Sequence, residues 1–277
     1  MRSLGMTRVM SVLALALALG GCVTTGSDPS SGSVSVPGMD ERDRSMTRVA
    51  IAASESGDHA TAINVYRKQS AAYPNRIEPV LALGEALLAV GSADEALPAF
   101  QRAVVLDPKS LEGNLGIGRA CLALRRLDEA SAAFDAVLVR NPHNVRALNG
   151  KGVAADLSGR HEEAQNLYLT GLEVAPDDRS LWNNLGLSLT FSRQYRDAVE
   201  ILTRIATAPG ATSRMRQNLA LALGLSGKDD AAAQVSRVDL NETAVASNLR
   251  FYAAAQQFHK PALIHSQPIA QAAFASR

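Results

Sequence analysis

One spacing governs this chain: Ala62, Ala96, Ala130, Ala164, Ala198 and Ala232 each lie 34 residues apart. Other residues keep the same frame. Gly84, Gly118, Gly152 and Gly186 form a second ladder, continued by the small Ala50 and Ala220 at its ends. Tyr66, Phe100, Phe134, Tyr168 and Leu202 follow the alanines by four residues, which on a helix sets each bulky group above its alanine on one face. Pro74, Pro108, Pro142 and Pro176 close the units, with Pro209 one residue early. A period of this length means stacked copies of one small unit, none of which can bury its apolar face alone.

Each unit reads as helix, turn, helix. The prolines end helices and restrict the residue before them. Gly57, Gly91, Gly159 and Gly227 stand where the first helix of a pair turns into the second, and Arg125 and Arg193 hold the equivalent positions. Acidic starts such as Asp94-Glu95, Asp128-Glu129 and Glu162-Glu163 follow, suited to the positive end of a helix dipole. A mid-helix glycine costs about 1 kcal/mol relative to alanine, so its recurrence predicts close helix contact. Composition agrees: hydrophobic residues make up 47% but aromatics only 4%, a core of Ala and Leu that favours helices over sheets.

The pattern resembles the tetratricopeptide repeat, W-x2-L-G-x2-Y, then A-x3-F-x2-A and a closing P, at 34 residues. Trp182, Leu185, Gly186, Leu189, Ala198, Leu202 and Pro209 form one match, and Leu83, Gly84, Leu87, Ala96, Phe100, Ala103 and Pro108 another. Arg125, Arg193, Lys151 and Ser236, the last where a ring is usual, depart from it. The resemblance implies an all-α, right-handed α-solenoid of about six repeats over residues 43–237. Asp239 or Asn241 can cap a further helix, expected over 238–258, with Leu249, Phe251, Tyr252 and Phe258 covering the open end. Residues 259–277 have no strong period and are expected to form a mobile tail.

Ahead of the repeats, Arg2 and Arg8 flank an apolar run from Val9 to Leu19, too short for the roughly 20 residues that span a bilayer. Leu19-Gly20-Gly21-Cys22 resembles the lipobox of bacterial lipoproteins. That implies a signal peptide over residues 1–21 and a mature chain that begins with acylated Cys22, its covalent lipid being the only added group expected. With Val23 and no Asp after the cysteine, the resemblance implies the periplasmic face of the outer membrane of a Gram-negative cell. Residues 22–42, rich in Ser, Gly, Pro and Asp, read as a flexible tether with a reach of about 25 Å.

Charge and motifs remove other classes. With 28 Lys+Arg against 27 Asp+Glu there is no bulk charge for a polyanion, and no nucleic-acid partner is expected. The two cysteines are far apart and the five histidines lack metal-ligand spacing, so no metal site is expected. Gly150-Lys151 lacks the rest of a phosphate loop, and Gly116-x-Gly118 has no strand before it. His161-Glu162-Glu163 is not HExxH, and His161 is expected to stand exposed at a turn. No catalytic residue is expected, and Cys121 reads as a buried thiol. The chain is expected not to be an enzyme.

Solenoids grip partners along the first helix of each pair. In the repeat frame one row there reads Leu81, Leu115, Asn149, Asn183, Gln217, and the next ends in Asn184 and Asn218. Carboxamides both donate and accept, which suits a peptide backbone. Arg119, Arg146 and Arg214 lie on the same side, placed to meet carboxylates. These eight polar residues form the expected groove, and Asn183→Ala is expected to leave the melting temperature unchanged. A lipobox, a tether, repeats and a terminal helix are similar to the TadD-type lipoproteins of tight-adherence (Flp) pilus systems, as are the stretches Asn218–Lys228, Asp230–Ala233, Val238–Leu240 and Asn248–Tyr252. This implies a non-enzymatic outer-membrane factor for pilus assembly, with the secretin or another pilus component as partner. The alternative is an envelope adaptor that gathers peptidoglycan enzymes or outer-membrane assembly factors.

Overall fold

The computed structural model describes residues 41–257. The expected signal peptide, Cys22, nearly all of the tether, Phe258 and the tail lie outside the described residues. Among the described residues there are thirteen helices and no strand. The first unit holds α1 (Glu41–Glu55), α2 (His59–Ala72), α3 (Ile77–Ala89), α4 (Ala93–Leu106), α5 (Leu111–Ala123) and α6 (Leu127–Leu138). The second holds α7 (Val145–Leu157), α8 (His161–Val174), α9 (Arg179–Phe191), α10 (Tyr195–Thr207), α11 (Ser213–Leu225), α12 (Asp229–Ser236) and α13 (Glu242–Gln257). These are the expected six pairs and a closing helix, although α1 begins at Glu41, two residues inside the expected tether. Among the described residues no helix is long and apolar enough to cross a membrane.

Within each unit every helix packs on its neighbours in sequence, and first helices of successive pairs also touch: α3 on α5, α7 on α9, α9 on α11. First helices therefore line the inner side. The alanine ladder is the floor of this packing, since Ala62, Ala96, Ala130, Ala164, Ala198 and Ala232 are all 0% exposed. The glycine ladder explains why. A Cβ on Gly84 would stand 2.7 Å from the Phe100 ring, one on Gly118 2.6 Å from Phe134 and one on Gly186 2.6 Å from Leu202. Gly152 meets Tyr168 in the same way. In these four pairs the bulky group of the second helix thus lies directly on the backbone of the first. Trp182, near the start of α9, ties back to the end of the preceding repeat, its indole N–H donating to the Pro176 carbonyl at 2.8 Å.

The caps keep the same frame. Ser110, Asn144, Asp178 and Thr212, each 34 apart, accept from backbone N–H groups in the first turns of α5, α7, α9 and α11. Turns between the helices of a pair need a left-handed residue, and Gly57, Gly91, Gly159 and Gly227 supply it with φ of +78° to +84°. Arg125 and Arg193 adopt the same conformation at φ +61° and +66°, although a side chain disfavours it.

The last pair departs from the ladder, with Ser236 where the others carry a ring or a leucine. Its cover comes from α13 instead, where Val245 and Tyr252 are buried and the Tyr252 ring lies against Gly224. Leu249 and Phe251 are half-buried beside them. Asn241 is the cap of α13, accepting from the Ala244 N–H at 2.9 Å. Asp239 has a different task. Its carboxylate accepts from the Arg216 Nε at 2.8 Å and a second Arg216 nitrogen, and this pairing holds its carboxyl below the usual carboxylate range.

Gly152→Leu is expected to destabilise the chain by about 1–3 kcal/mol or more through overpacking against Tyr168, read as a lower urea midpoint. Arg125→Gly is expected to stabilise it by about 1 kcal/mol by relieving left-handed strain, and an unchanged or lower midpoint would refute that assignment.

Candidate functional site: the inner face of the second unit

The expected groove residues fall in both units. Arg119 lies on α5 in the first unit, where its guanidinium donates to both Glu85 oxygens at 2.7 and 2.8 Å, two groups 34 residues apart on neighbouring first helices. The other seven lie on α7, α9 and α11 of the second unit.

There the asparagines bond one another. Asn218 Nδ2 donates to Asn183 Oδ1 at 2.7 Å, Asn183 Nδ2 to Asn184 Oδ1 at 3.3 Å, and Asn184 Nδ2 to Asn149 Oδ1 at 2.8 Å. The result is a one-way chain of carboxamides that ties three first helices together. Asn183 and Asn218 are each only 6% exposed. They are thus internal struts, contrary to the expectation that Asn183 is indifferent to stability. Asn149, Asn184 and Gln217 remain half-buried at the surface, and Arg146 and Arg214 are exposed. Gln217 Nε2 also reaches Asp239 at 3.4 Å.

A second network was not legible in the sequence. Asp156, in the last turn of α7, is 6% exposed and accepts from three directions. Tyr168 OH donates at 2.9 Å, Ser188 Oγ at 2.7 Å, and His161 Nδ1 lies 2.8 Å away. His161 is therefore engaged rather than exposed, its ring also 6.0 Å from that of Phe191. Burial and the Asp156 charge together push the Tyr168 phenol well above its ordinary range, keeping it a donor. Serine, histidine and aspartate meet here, but the hydroxyl donates to the carboxylate instead of to the imidazole, and Ser188 is 0% exposed. That wiring neither activates a nucleophile nor exposes one. It satisfies a buried carboxylate and joins α7, α8 and α9.

Elsewhere, Cys121 is a free thiol, 1% exposed, and burial raises its pKa, which leaves it unreactive. Among the described residues no three His, Cys, Asp or Glu side chains converge as a metal site would require.

One further surface feature escaped the sequence reading. Leu157, Phe191 and Leu225 share one register position at the ends of α7, α9 and α11, and all three are half-buried. They lie about two turns beyond Asn149, Asn183 and Gln217, giving the inner face an apolar edge beside its polar row. Their 34-residue spacing was the available signal.

The tetratricopeptide repeat model matches residues 48–110, 81–135 and 115–169. No curated protein matches the chain significantly. Among solved structures, a tetratricopeptide repeat protein from Parabacteroides merdae is similar with a TM-score of 0.65 at 15% identity, covering 78% of this chain and 86% of its own. TTC0263, a thermophilic tetratricopeptide repeat protein of Thermus thermophilus, gives 0.57 at 18% identity, with coverage of 65% and 98%. MamA of Desulfovibrio magneticus gives 0.54 at 19%, with 60% and 94%.

Asn218→Ala leaves the buried Asn183 oxygen without its donor and is expected to cost about 1–3 kcal/mol, whereas Asn149→Ala at the surface end of the chain is expected to cost well under 1 kcal/mol. Equal losses in a thermal melt would refute the division into strut and surface. The repeat matches over residues 48–169 and the helix pairs that continue in the same register through residue 236 make one statement: this chain carries tetratricopeptide repeats.

Proposed function

We propose that the protein is a lipid-anchored scaffold at the periplasmic face of the outer membrane that holds other polypeptides during Flp (tight-adherence) pilus assembly, its partner the secretin or another pilus component. Tetratricopeptide repeats are suited to protein–protein contact, and the observation that carries the reading is the inner face of α7, α9 and α11. Its polar row presents Asn149, Asn184 and Gln217 between exposed Arg146 and Arg214, with the Leu157–Phe191–Leu225 edge beside it. Such a face offers hydrogen-bonding groups for a backbone and an apolar seat for side chains. Support for the location comes from the sequence Leu19–Cys22, and support for the pilus role from the similarity to TadD-type lipoproteins.

Mechanically, the scaffold needs no chemical step. The carboxamide chain and the Asp156 network fix the spacing of three first helices before a partner arrives, so little ordering cost falls on binding. An acyl anchor several chains strong holds the protein to the leaflet, since burial contributes ~0.8 kcal/mol per CH₂.

Cys22→Ser is expected to leave the repeats folded, with an unchanged far-ultraviolet spectrum, while the chain leaves the membrane fraction or accumulates as an uncleaved precursor. Mature, membrane-held protein from that variant would remove the anchor. Crosslinking from position 184 in intact envelopes is expected to capture a pilus component, and capture of peptidoglycan enzymes instead would replace the pilus role with that of a general envelope adaptor.

A further inference from the structure

The closing helix keeps the repeat frame more fully than a cap requires. Ala254 lies 34 residues after Ala220 and is the seventh rung of the ladder Ala50, Gly84, Gly118, Gly152, Gly186, Ala220. Stacking agrees with register. Gln256 Nε2 donates to the Gly224 carbonyl across 32 residues, the separation at which Ser188 of α9 reaches Asp156 of α7. Phe251 stands half-buried one period after Gln217, at the end of the row of Asn149, Asn183 and Gln217. The closing helix α13 therefore packs on α11 as a seventh first helix.

One rung differs. The six earlier rungs are buried, whereas Ala254 is exposed, together with Ala246, Arg250 and Ala253 along the same side of α13. In four of the pairs the rung lies under the bulky group of its own second helix, Phe100, Phe134, Tyr168 or Leu202. The side of α13 that such a helix would cover is thus open among the described residues, which end at Gln257. The sequence beyond carries a matching motif. Ala270-Gln-Ala-Ala-Phe274 repeats Ala130-Ser-Ala-Ala-Phe134 of α6 in four of five residues, and Ser266 precedes Ala270 by four as Ser92, the cap position of α4, precedes Ala96. Pro268 then falls in a first turn, where no intrahelical N–H is lost. In the six pairs the ladder alanine follows its rung by twelve residues, and here by sixteen. Those four extra residues, about one helical turn, take the motif out of the 34-residue frame.

We propose that residues 266–277 dock on the open side of α13 as the second helix of a seventh pair, with Phe274 over Ala254. This goes beyond the scaffold reading above and does not depend on it. Twelve residues suffice, since the second helices of the chain have 8 to 14. The spacing of Ala270 and Phe274 sets both on one helical face, so both meet α13 at once. A helix this short is marginal alone, and burial of the Phe274 ring against α13 offsets the cost of ordering it. The same segment of a second copy is the lesser fit. Only eight residues separate Gln257 from Ser266, and so short a link keeps the segment at a high effective concentration beside its own α13. With this side of α13 covered, Phe251 is held as the last side chain of the inner row.

The test is amide hydrogen exchange on the purified full chain in detergent. Amides from Ala270 onward and those in the last two turns of α13 are expected to be protected together. Phe274→Ala is expected to speed exchange in both by about tenfold or more while α7 to α10 exchange as in the parent. Phe274→Tyr is expected to keep the protection, because Tyr66 and Tyr168 fill the same position in other pairs. Ala254→Trp, which takes up the same space from the opposite side, is expected to release the segment as Phe274→Ala does. Fast exchange throughout 266–277 in the parent overturns the proposal, as does a Phe274→Ala or Ala254→Trp variant that exchanges like the parent. Protection that vanishes on dilution, as a dimer gives way to monomer, overturns it as well, since the occupant is then the segment of a second copy.

Discussion

The whole arrangement depends on how closely a second helix can lie on the backbone of the first. At Gly84, Gly118, Gly152 and Gly186 the ring or branched group of the partner helix takes the space that a methyl would occupy. Four repeated contacts of this kind set the distance within four of the six pairs, and the fully buried alanines set the space left beside it. An interior packed this tightly has little room to adjust. The glycines cost helix propensity, and the packing they permit offsets it.

Given that spacing, the polar residues of the second unit divide by depth. Asn183 and Asn184 are adjacent in sequence, yet one is a buried strut and the other faces the surface. Asp156 shows the same logic in stronger form. A carboxylate this deep needs compensating donors, and three of them, from α8 and α9, converge on it. Both networks join neighbouring first helices through polar contacts where apolar packing alone would hold them less specifically. The consequence for function is a face whose shape precedes its partner.

The ends and turns follow local rules that can be checked one residue at a time. Ser110, Asn144, Asp178 and Thr212 cap first helices at a constant spacing, and the sequence shows that ladder as plainly as it shows the alanines. Arg125 and Arg193 stand where four glycines predict a left-handed turn, and they adopt it at a conformational cost. Where the ladder loses its ring at Ser236, Tyr252 of the closing helix supplies one from outside the repeat.

From the sequence alone came the period, the helix pairs, the turn positions, the buried alanine and ring ladders and the closing helix. All of these depend on residues within one repeat or its immediate neighbour in the chain, where helical geometry fixes who meets whom. The tertiary structure decided the rest. Asn218 reaches Asn183 across 35 residues and Ser188 reaches Asp156 across 32, distances set by how one pair rotates upon the next. Periodicity gives the spacing of pairs but not that rotation, and the rotation determines whether an asparagine or a histidine turns inward to a neighbour or outward to water. For that reason the fold was legible residue by residue, while the separation of struts from surface became visible only when the helices were stacked.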